Sequence, residues 1–271
     1  GGYITAGSKG DIVYLFGKSS SIPLWTYDVG NYGVEELAMS ADGEYIAAAG
    51  GNNDKVFLWD KDSSTPSWSY SVTYRVSSID ISADGEYIVA GSNSSNKVYL
   101  FSKDSSTPLW SYDTGGLSNH DSVSISADGE YIAAAGGNTD KVFLWNKDSG
   151  TPLWSYTAGD DLYTVSISAN GEYITASSAD KNIYLFDKDS STPLWRTGRS
   201  MDTYLSDSDA SFIGEDDNDV SGYSVSGVGD VNGDGYDDFI IGAHQAGQGG
   251  SRGHTYLILG KVSGWSMDAE L

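Results

Sequence analysis

The chain contains no cysteine, few basic side chains and only five prolines among its 271 residues. Without cysteine it forms no disulfide, no thiolate nucleophile and no cysteine-type zinc site. Its 15 basic side chains stand against 38 acidic ones, a net charge of −23. That excess argues against nucleic acid, which binds basic patches, and against an anionic membrane surface. No apolar run approaches the ~18 residues of a membrane-spanning helix, so we expect no membrane insertion.

The five prolines mark a tandem repeat. Each lies two residues before a tryptophan, and these tryptophans recur every 41 to 44 residues, at Trp25, Trp68, Trp110, Trp154 and Trp195. A second motif, Ser-Ala-Asp-Gly-Glu-Tyr-Ile, begins in phase at Ser40, Ser82 and Ser126, and returns from Ser168 with Asn170 in place of aspartate. A unit of about 42 residues therefore organises the first three quarters of the chain.

The sequence pattern of each unit predicts four short strands. In one copy, residues 76–82 alternate apolar and polar side chains, as in a half-buried strand. Asp84-Gly85 is typical of a hairpin turn before a second strand at residues 87–91, and β-branched and aromatic residues favour a third at 97–101. Turn residues then lead into a fourth strand at 109–112. We find no apolar stripe of helical period and expect almost no helix.

The period and the strand number together predict an all-β fold, a β-propeller of about six four-stranded blades, the first of them incomplete. Stacking blades around an axis covers both apolar faces of each twisted sheet. Small residues such as Ala47-Ala48-Ala49 suit the crowded region near the axis, and large rings suit the wider gaps further out. A solenoid of the same period is the alternative.

Residues 1–195 resemble a known group of repeats. The phrases S-A-D-G-E-Y-I, K-V-Y-L-F and D-S-S-T-P-L-W-S-Y are similar to the tandem WD-like and quinoprotein-like (PQQ-like) propeller repeats of archaeal and bacterial surface proteins. In the quinoprotein-type repeat the tryptophan docks between blades. The resemblance implies a propeller and does not imply an enzyme.

Residues 196–271 do not follow the 42-residue pattern and form the second predicted unit. They contain no proline, and residues 221–243 include the run D-V-N-G-D-G-Y-D-D. This segment resembles the FG-GAP repeat of integrin α-subunit propellers and of microbial surface proteins. The resemblance implies a calcium-binding blade that continues the same propeller.

The acidic run carries the one predicted metal site. Its oxygen-bearing residues alternate around Gly235, which permits a sharp turn, and Ca²⁺ requires six to eight hard oxygen ligands. Ile241 stands where an EF-hand needs a glutamate, which excludes that motif. The FG-GAP resemblance implies a calcium site with the ligands Asp230, Asn232, Asp234, Tyr236 (through its backbone carbonyl) and Asp238.

Two alternatives remain for acidic segments of this region. The run could be an acidic turn without metal, although three unneutralised carboxylates would repel each other. Asp216-Asp217-Asn218-Asp219 is a weaker candidate cation loop that lacks the central Asp-Gly.

Three functions are compatible with the sequence. The first is a non-enzymatic, extracellular or cell-surface propeller for adhesion, recognition or envelope architecture, with a protein or glycan ligand and with further repeats of the same chain as neighbours. Near-identical repeats and the sequon Asn93-Ser94-Ser95 favour it. The second is a quinoprotein-like oxidoreductase or another propeller enzyme, but no blade carries a unique set of catalytic residues. The third is an intracellular WD-type interaction platform, which the calcium loop and the acidity disfavour.

Overall fold

The computed structural model describes residues 2–50, 54–72, 75–92, 95–115, 122–136, 139–196, 221–229, 238–243 and 254–258. Within these ranges the regular elements are strands, as the sequence predicts, and no helix is long and apolar enough to cross a membrane. The strands are β1 (Tyr3–Gly7), β2 (Ile12–Gly17), β3 (Pro23–Asp28), β4 (Val34–Met39), β5 (Tyr45–Gly50), β6 (Lys55–Asp60), β7 (Trp68–Ser71), β8 (Val76–Ile81), β9 (Tyr87–Ser92), β10 (Lys97–Ser102), β11 (Trp110–Asp113), β12 (Ser122–Ile125), β13 (Tyr131–Gly136), β14 (Lys141–Asn146), β15 (Trp154–Thr157), β16 (Leu162–Ile167), β17 (Tyr173–Ser178), β18 (Ile183–Asp187), β19 (Trp195–Arg196), β20 (Ser221–Gly229), β21 (Asp238–Ala243) and β22 (His254–Ile258).

Consecutive strands form antiparallel sheets, which are the blades of a propeller. Blades 2 to 5 each have four strands: β4–β7, β8–β11, β12–β15 and β16–β19. In the described part of the chain, blade 1 has three strands (β1–β3) and blade 6 has three (β20–β22). The prediction of an all-β propeller with an incomplete first blade is therefore confirmed. Fourth strands carry exposed serines between half-buried aromatic residues, as expected for outer edges.

The first strands of successive blades lie side by side and form the inner wall of the propeller. β4 contacts β8, β12 contacts β8 and β16, and β16 contacts β20, whereas in blade 1 the strand that β4 contacts is β1, which matches the second strands of the other blades in sequence. The second strands carry the small residues that the sequence placed near the axis: Ala47, Ala48 and Ala49 are at most 1% exposed. Their size allows neighbouring sheets to approach closely at the inside of the ring.

Each hydrophobic cluster joins two neighbouring blades. In one of them, Ile88 and Phe101 of blade 3 pack against Ala47 and Leu58 of blade 2. In another, Tyr184 and Phe186 of blade 5 pack against blade 4. Because the sheets of blades 2, 3 and 4 each bury their two faces in two different clusters, none of these blades has a core of its own and each depends on its neighbours.

Candidate functional site: the acidic loop and the blade interfaces

The predicted calcium ligands Asp230, Asn232, Asp234 and Tyr236 lie outside the described residues, as do residues 216–219. Asp238 is the first residue of β21 and pairs with Gly229, the last residue of β20. The eight residues between them therefore connect two antiparallel strands, and the pairing shifts register immediately before the connection, between Gly227 and Gly229. Paired strands hold the fifth predicted ligand at the base of the loop.

The donor set of this loop fits a calcium ion chemically. It offers three carboxylates, one side-chain amide and one backbone carbonyl, all of them hard oxygen donors. Strands flank it on both sides, which distinguishes it from a helix–loop–helix calcium site. The ligand assignment itself remains a prediction.

A second acidic group lies in blades 4 and 5 and was not predicted from the sequence. Carboxylate oxygens of Asp140, Asp160 and Asp161 lie within 4.8 Å of one another. Burial raises the pKa of Asp140, and the charges of Asp161, Asp160 and Asp180 raise it further. These residues come from separate loops of blades 4 and 5, so no sequence spacing could reveal the group. Exposed acidic groups of this kind are common without a metal ion.

Tryptophan side chains link successive blades by one recurrent hydrogen bond. The indole N–H of the fourth strand donates to a lysine carbonyl of the following blade. The four bonds are Trp25 to Lys61 (2.7 Å), Trp68 to Lys103 (2.7 Å), Trp110 to Lys147 (2.8 Å) and Trp154 to Lys188 (2.7 Å). Each indole also packs on a ring of the third strand that it approaches; the centroids of Trp154 and Phe186 are 5.3 Å apart. The proline-marked tryptophan is thus an inter-blade contact in each of the four copies whose side chain the structure describes.

A chain of backbone hydrogen bonds joins the hairpins between first and second strands. The N–H of Ala41 donates to the carbonyl of Ala83, that of Ala83 to Ala127, and that of Ala127 to Ala169, each at 2.9 Å. These bonds run in one direction, from each blade to the next. The alanine of the Ser-Ala-Asp-Gly-Glu-Tyr-Ile motif therefore acts through its backbone.

The glycine and tyrosine of the same motif pack against each other across the interface. Gly129 has a φ of 73°, and a Cβ added there would lie 2.5 Å from Cδ2 of Tyr87 in the preceding blade. Gly85 and Tyr45 repeat this arrangement at 2.4 Å. Glycine is thus required both by the left-handed turn and by the neighbouring ring.

Polar side chains of the inner wall accept hydrogen bonds from backbone N–H groups of the next blade. The Ile79 N–H donates to the Glu36 carboxylate at 2.7 Å, and the Ile125 N–H donates to Asp80 at 3.0 Å. Both carboxyls have pKa values raised by burial. Ser78 accepts from the next blade in the same way, at 3.1 Å from the Val123 nitrogen. Blades 2 and 3 thereby supply side-chain acceptors for backbone N–H groups of the blade that follows each of them.

Comparisons with known proteins agree with this architecture. The sequence profile of the FG-GAP repeat matches residues 221–258, and a PQQ-like profile described as outer membrane protein assembly factor BamB matches residues 9–139 and 122–227. A search of curated proteins found no matching relative.

One similar solved structure is a chain in the crystal structure of the mitotic checkpoint complex, a WD40 propeller. The two structures align with 17% sequence identity and a TM-score of 0.56. The alignment covers 69% of this chain and 61% of that chain. At this identity the likeness shows the fold alone. The two PQQ-like matches together span residues 9–227, which is most of the sequence. The protein therefore belongs to the PQQ-like propeller repeat family whose profile is described as outer membrane protein assembly factor BamB, and it carries an FG-GAP repeat at residues 221–258.

Proposed function

We propose that this chain is a non-enzymatic propeller of the cell surface or extracellular space, stabilised by calcium, that serves adhesion, recognition or envelope architecture. The observation that carries the proposal is the repetition of one interface. The same indole, alanine and glycine contacts recur from blade to blade and use the most regular residues of the sequence. Such residues build a scaffold, whereas a catalytic site needs side chains that differ from the repeat.

The proposed location rests on the two repeat families. One profile is described by the name of an outer membrane assembly factor. The FG-GAP match at residues 221–258 includes the acidic loop. Calcium concentrations outside cells are high enough to occupy weak oxygen-ligand sites. An acidic chain without cysteine is compatible with that environment, and the partner there would be a protein or a glycan.

Calcium would act on blade 6 through the loop between β20 and β21. The ion would be held by the side chains of Asp230, Asn232, Asp234 and Asp238 and by the Tyr236 carbonyl, and it would neutralise carboxylates that otherwise repel each other. Because the ion binds only the folded loop, it stabilises the folded state by mass action.

Thermal unfolding in calcium and in chelator tests the metal site. At a calcium concentration 100 times the Kd, we expect about 2.7 kcal/mol of stabilisation and a rise in the melting temperature. Asp234→Ala should remove most of this rise, whereas Asp237→Ala, the same charge change at an adjacent position outside the predicted ligand set, should keep it. If chelator changes neither melting nor protease resistance, the site is not structural calcium.

Two further measurements test the function itself. Dye reduction with alcohols or sugars after reconstitution with a quinone would establish an oxidoreductase and overturn the proposal. Fractionation of the native protein to the cytosol, together with peptide binding on the propeller, would favour an intracellular interaction platform. Binding to a glycan or protein array supports recognition, and a negative array leaves an architectural role.

A further inference from the structure

Tyr32 adopts a backbone conformation that bulky residues avoid. It lies in the loop between β3 and β4, at the junction of blades 1 and 2, and its φ is 88°. For a large side chain such a value is an outlier, whereas short polar side chains tolerate it and glycine adopts it freely. The other described non-glycine residues with positive φ carry no ring: they are Asp11, Asp54, Asn96, Asp140 and Lys181.

The ring of Tyr32 contributes little packing to the fold. It is 82% exposed, more than any other large apolar or aromatic side chain that the structure describes. It takes no part in the hydrophobic cluster that joins blades 1 and 2. A residue that adds backbone strain and buries little area costs folding free energy, and residues of this kind concentrate at binding sites.

Two carboxylates are fixed next to Tyr32 by hydrogen bonds to its own loop. The N–H of Gly33, the residue that follows Tyr32, donates to Asp11 Oδ1 at 2.6 Å, and the N–H of Gly30 donates to Asp28 Oδ1 at 2.8 Å. Within the described chain neither carboxylate forms an ion pair. The loop therefore presents an aromatic ring together with two negative charges that no cation balances.

Two other sites in this chain show what a tyrosine ring and a carboxylate hold between them. The Lys61 ammonium lies 6.0 Å from the centroid of the Tyr3 ring and 3.1 Å from a Glu44 carboxylate oxygen. The ring attracts the cation through its quadrupole, and the carboxylate attracts it through its charge. The arrangement recurs one blade further on, with Lys103, Tyr45 and Glu86.

No cation of the described chain is stacked on the Tyr32 ring. Lys9 lies against Gly33 through its backbone, and its side chain is exposed. We infer that Tyr32, Asp11 and Asp28 form a binding site for a lysine or arginine side chain of a basic protein segment. The cation stacks on the ring and pairs with the carboxylates, and the net charge of −23 attracts such a partner.

This inference rests on the proposed role in recognition and assigns the partner to proteins rather than to glycans. A peptide titration followed by nuclear magnetic resonance tests it on the intact chain. The probe is a peptide of alternating arginine and serine, added to nitrogen-15-labelled protein with calcium present and at about 0.15 M salt, which screens diffuse attraction. The amide signals of Gly30 and Gly33 should shift saturably, because their N–H groups bond the two carboxylates. The signal of Gly85, in a hairpin at the opposite end of the blades, should not shift.

Two alanine substitutions form the matched pair. Tyr32→Ala should weaken peptide binding about two- to fivefold, which is the contribution of one exposed cation–π contact. Tyr173→Ala removes another exposed tyrosine (47%), in blade 5, and should leave binding unchanged. Asp11→Asn keeps an acceptor for the Gly33 N–H but removes the charge, so it should also weaken binding.

A glycine variant separates binding from folding. Tyr32→Gly relieves the strained φ, so the melting temperature should not fall, whereas peptide binding should weaken as it does in Tyr32→Ala. A melting temperature several degrees lower would mean that the ring stabilises the fold, and the inference would then be wrong.

Three binding results would also overturn the inference. One is the absence of shifts at Gly30 and Gly33 with about 10 mM peptide, at which even a millimolar Kd gives near-saturation. Another is equal binding by Tyr32→Ala and Tyr173→Ala. The third is tighter binding of an uncharged oligosaccharide at the same signals, which would assign the site to a glycan. Quinone-dependent dye reduction or a cytosolic location would contradict the proposed function without changing these shifts, so the two proposals fail separately.

Discussion

Removing one inter-blade indole donor should destabilise the protein measurably. Trp110→Phe retains an aromatic ring near Trp145, whose centroid lies 5.8 Å from that of Trp110, but it deletes the 2.8 Å hydrogen bond to the Lys147 carbonyl. Losing the bond and leaving the carbonyl poorly paired costs about 1–2 kcal/mol. The smaller ring of a half-buried residue adds about 0.5 kcal/mol. We therefore expect a loss of about 2 kcal/mol, or roughly 4–8 °C in the melting temperature.

Trp145→Phe is the control because it removes an indole that forms no such bond. In the part of the chain that the structure describes, the Trp145 ring nitrogen is buried without a hydrogen-bond partner. Phe101 and Phe186 occupy the equivalent positions of blades 3 and 5 and are fully buried. Lost ring area is offset by relief of a buried unpaired donor, so the change in unfolding free energy should stay within about 1 kcal/mol.

Urea unfolding followed by far-ultraviolet circular dichroism measures both variants, since tryptophan fluorescence itself changes with the substitutions. Both proteins should be compared at one fixed calcium concentration. If Trp110→Phe costs no more than Trp145→Phe, the indole-to-carbonyl bond does not hold the blades together, and the reasoning is wrong.

Two other substitutions test the turn and the inner wall. Gly129→Ala should lower the free energy of unfolding by about 1–3 kcal/mol, since the added Cβ strains the left-handed turn and collides with Tyr87. Gly10→Ala is the control: its Cβ would lie 3.6 Å from the nearest neighbouring atom, so the loss in the same urea titration should be far smaller. Because burial raises the pKa of Asp80, the folded state keeps this proton to a higher pH than the unfolded state, so its contribution to stability falls as pH rises above about 4. Asp80→Asn should remove that component, and identical pH dependence of unfolding in variant and wild type would contradict it.

The strands and turns could be predicted from the sequence because their signals are local. Alternation at residues 76–82, the Asp84-Gly85 turn and the β-branched run at 97–101 each lie within one short window, and the corresponding strands β8, β9 and β10 are observed. Repetition strengthened each signal, since a pattern that returns in phase is not accidental. The calcium site remains a prediction, and its signal is equally local because all of its predicted ligands lie within nine residues.

Contacts made through backbone atoms could not be predicted. The acceptors of the indole bonds are lysine carbonyls. Every residue type has a backbone carbonyl, so the residue type does not indicate which carbonyl accepts a hydrogen bond. The Asp140, Asp160 and Asp161 group assembles from separate loops that only the stacking of blades 4 and 5 brings together. The sequence likewise could not tell that Trp110 donates a hydrogen bond whereas Trp145 is buried without one.

The one-way direction of the hydrogen bonds at Ala41, Ala83 and Ala127 bears on how such a protein can change in length. Every donor is in one unit and every acceptor in the next, so the contact is head-to-tail. Duplicating a single unit would create a new interface that is already complete, and deleting one would rejoin two compatible surfaces. No individual contact fixes the number of blades. Gain or loss of a whole unit would therefore preserve the backbone contacts that join one hairpin to the next.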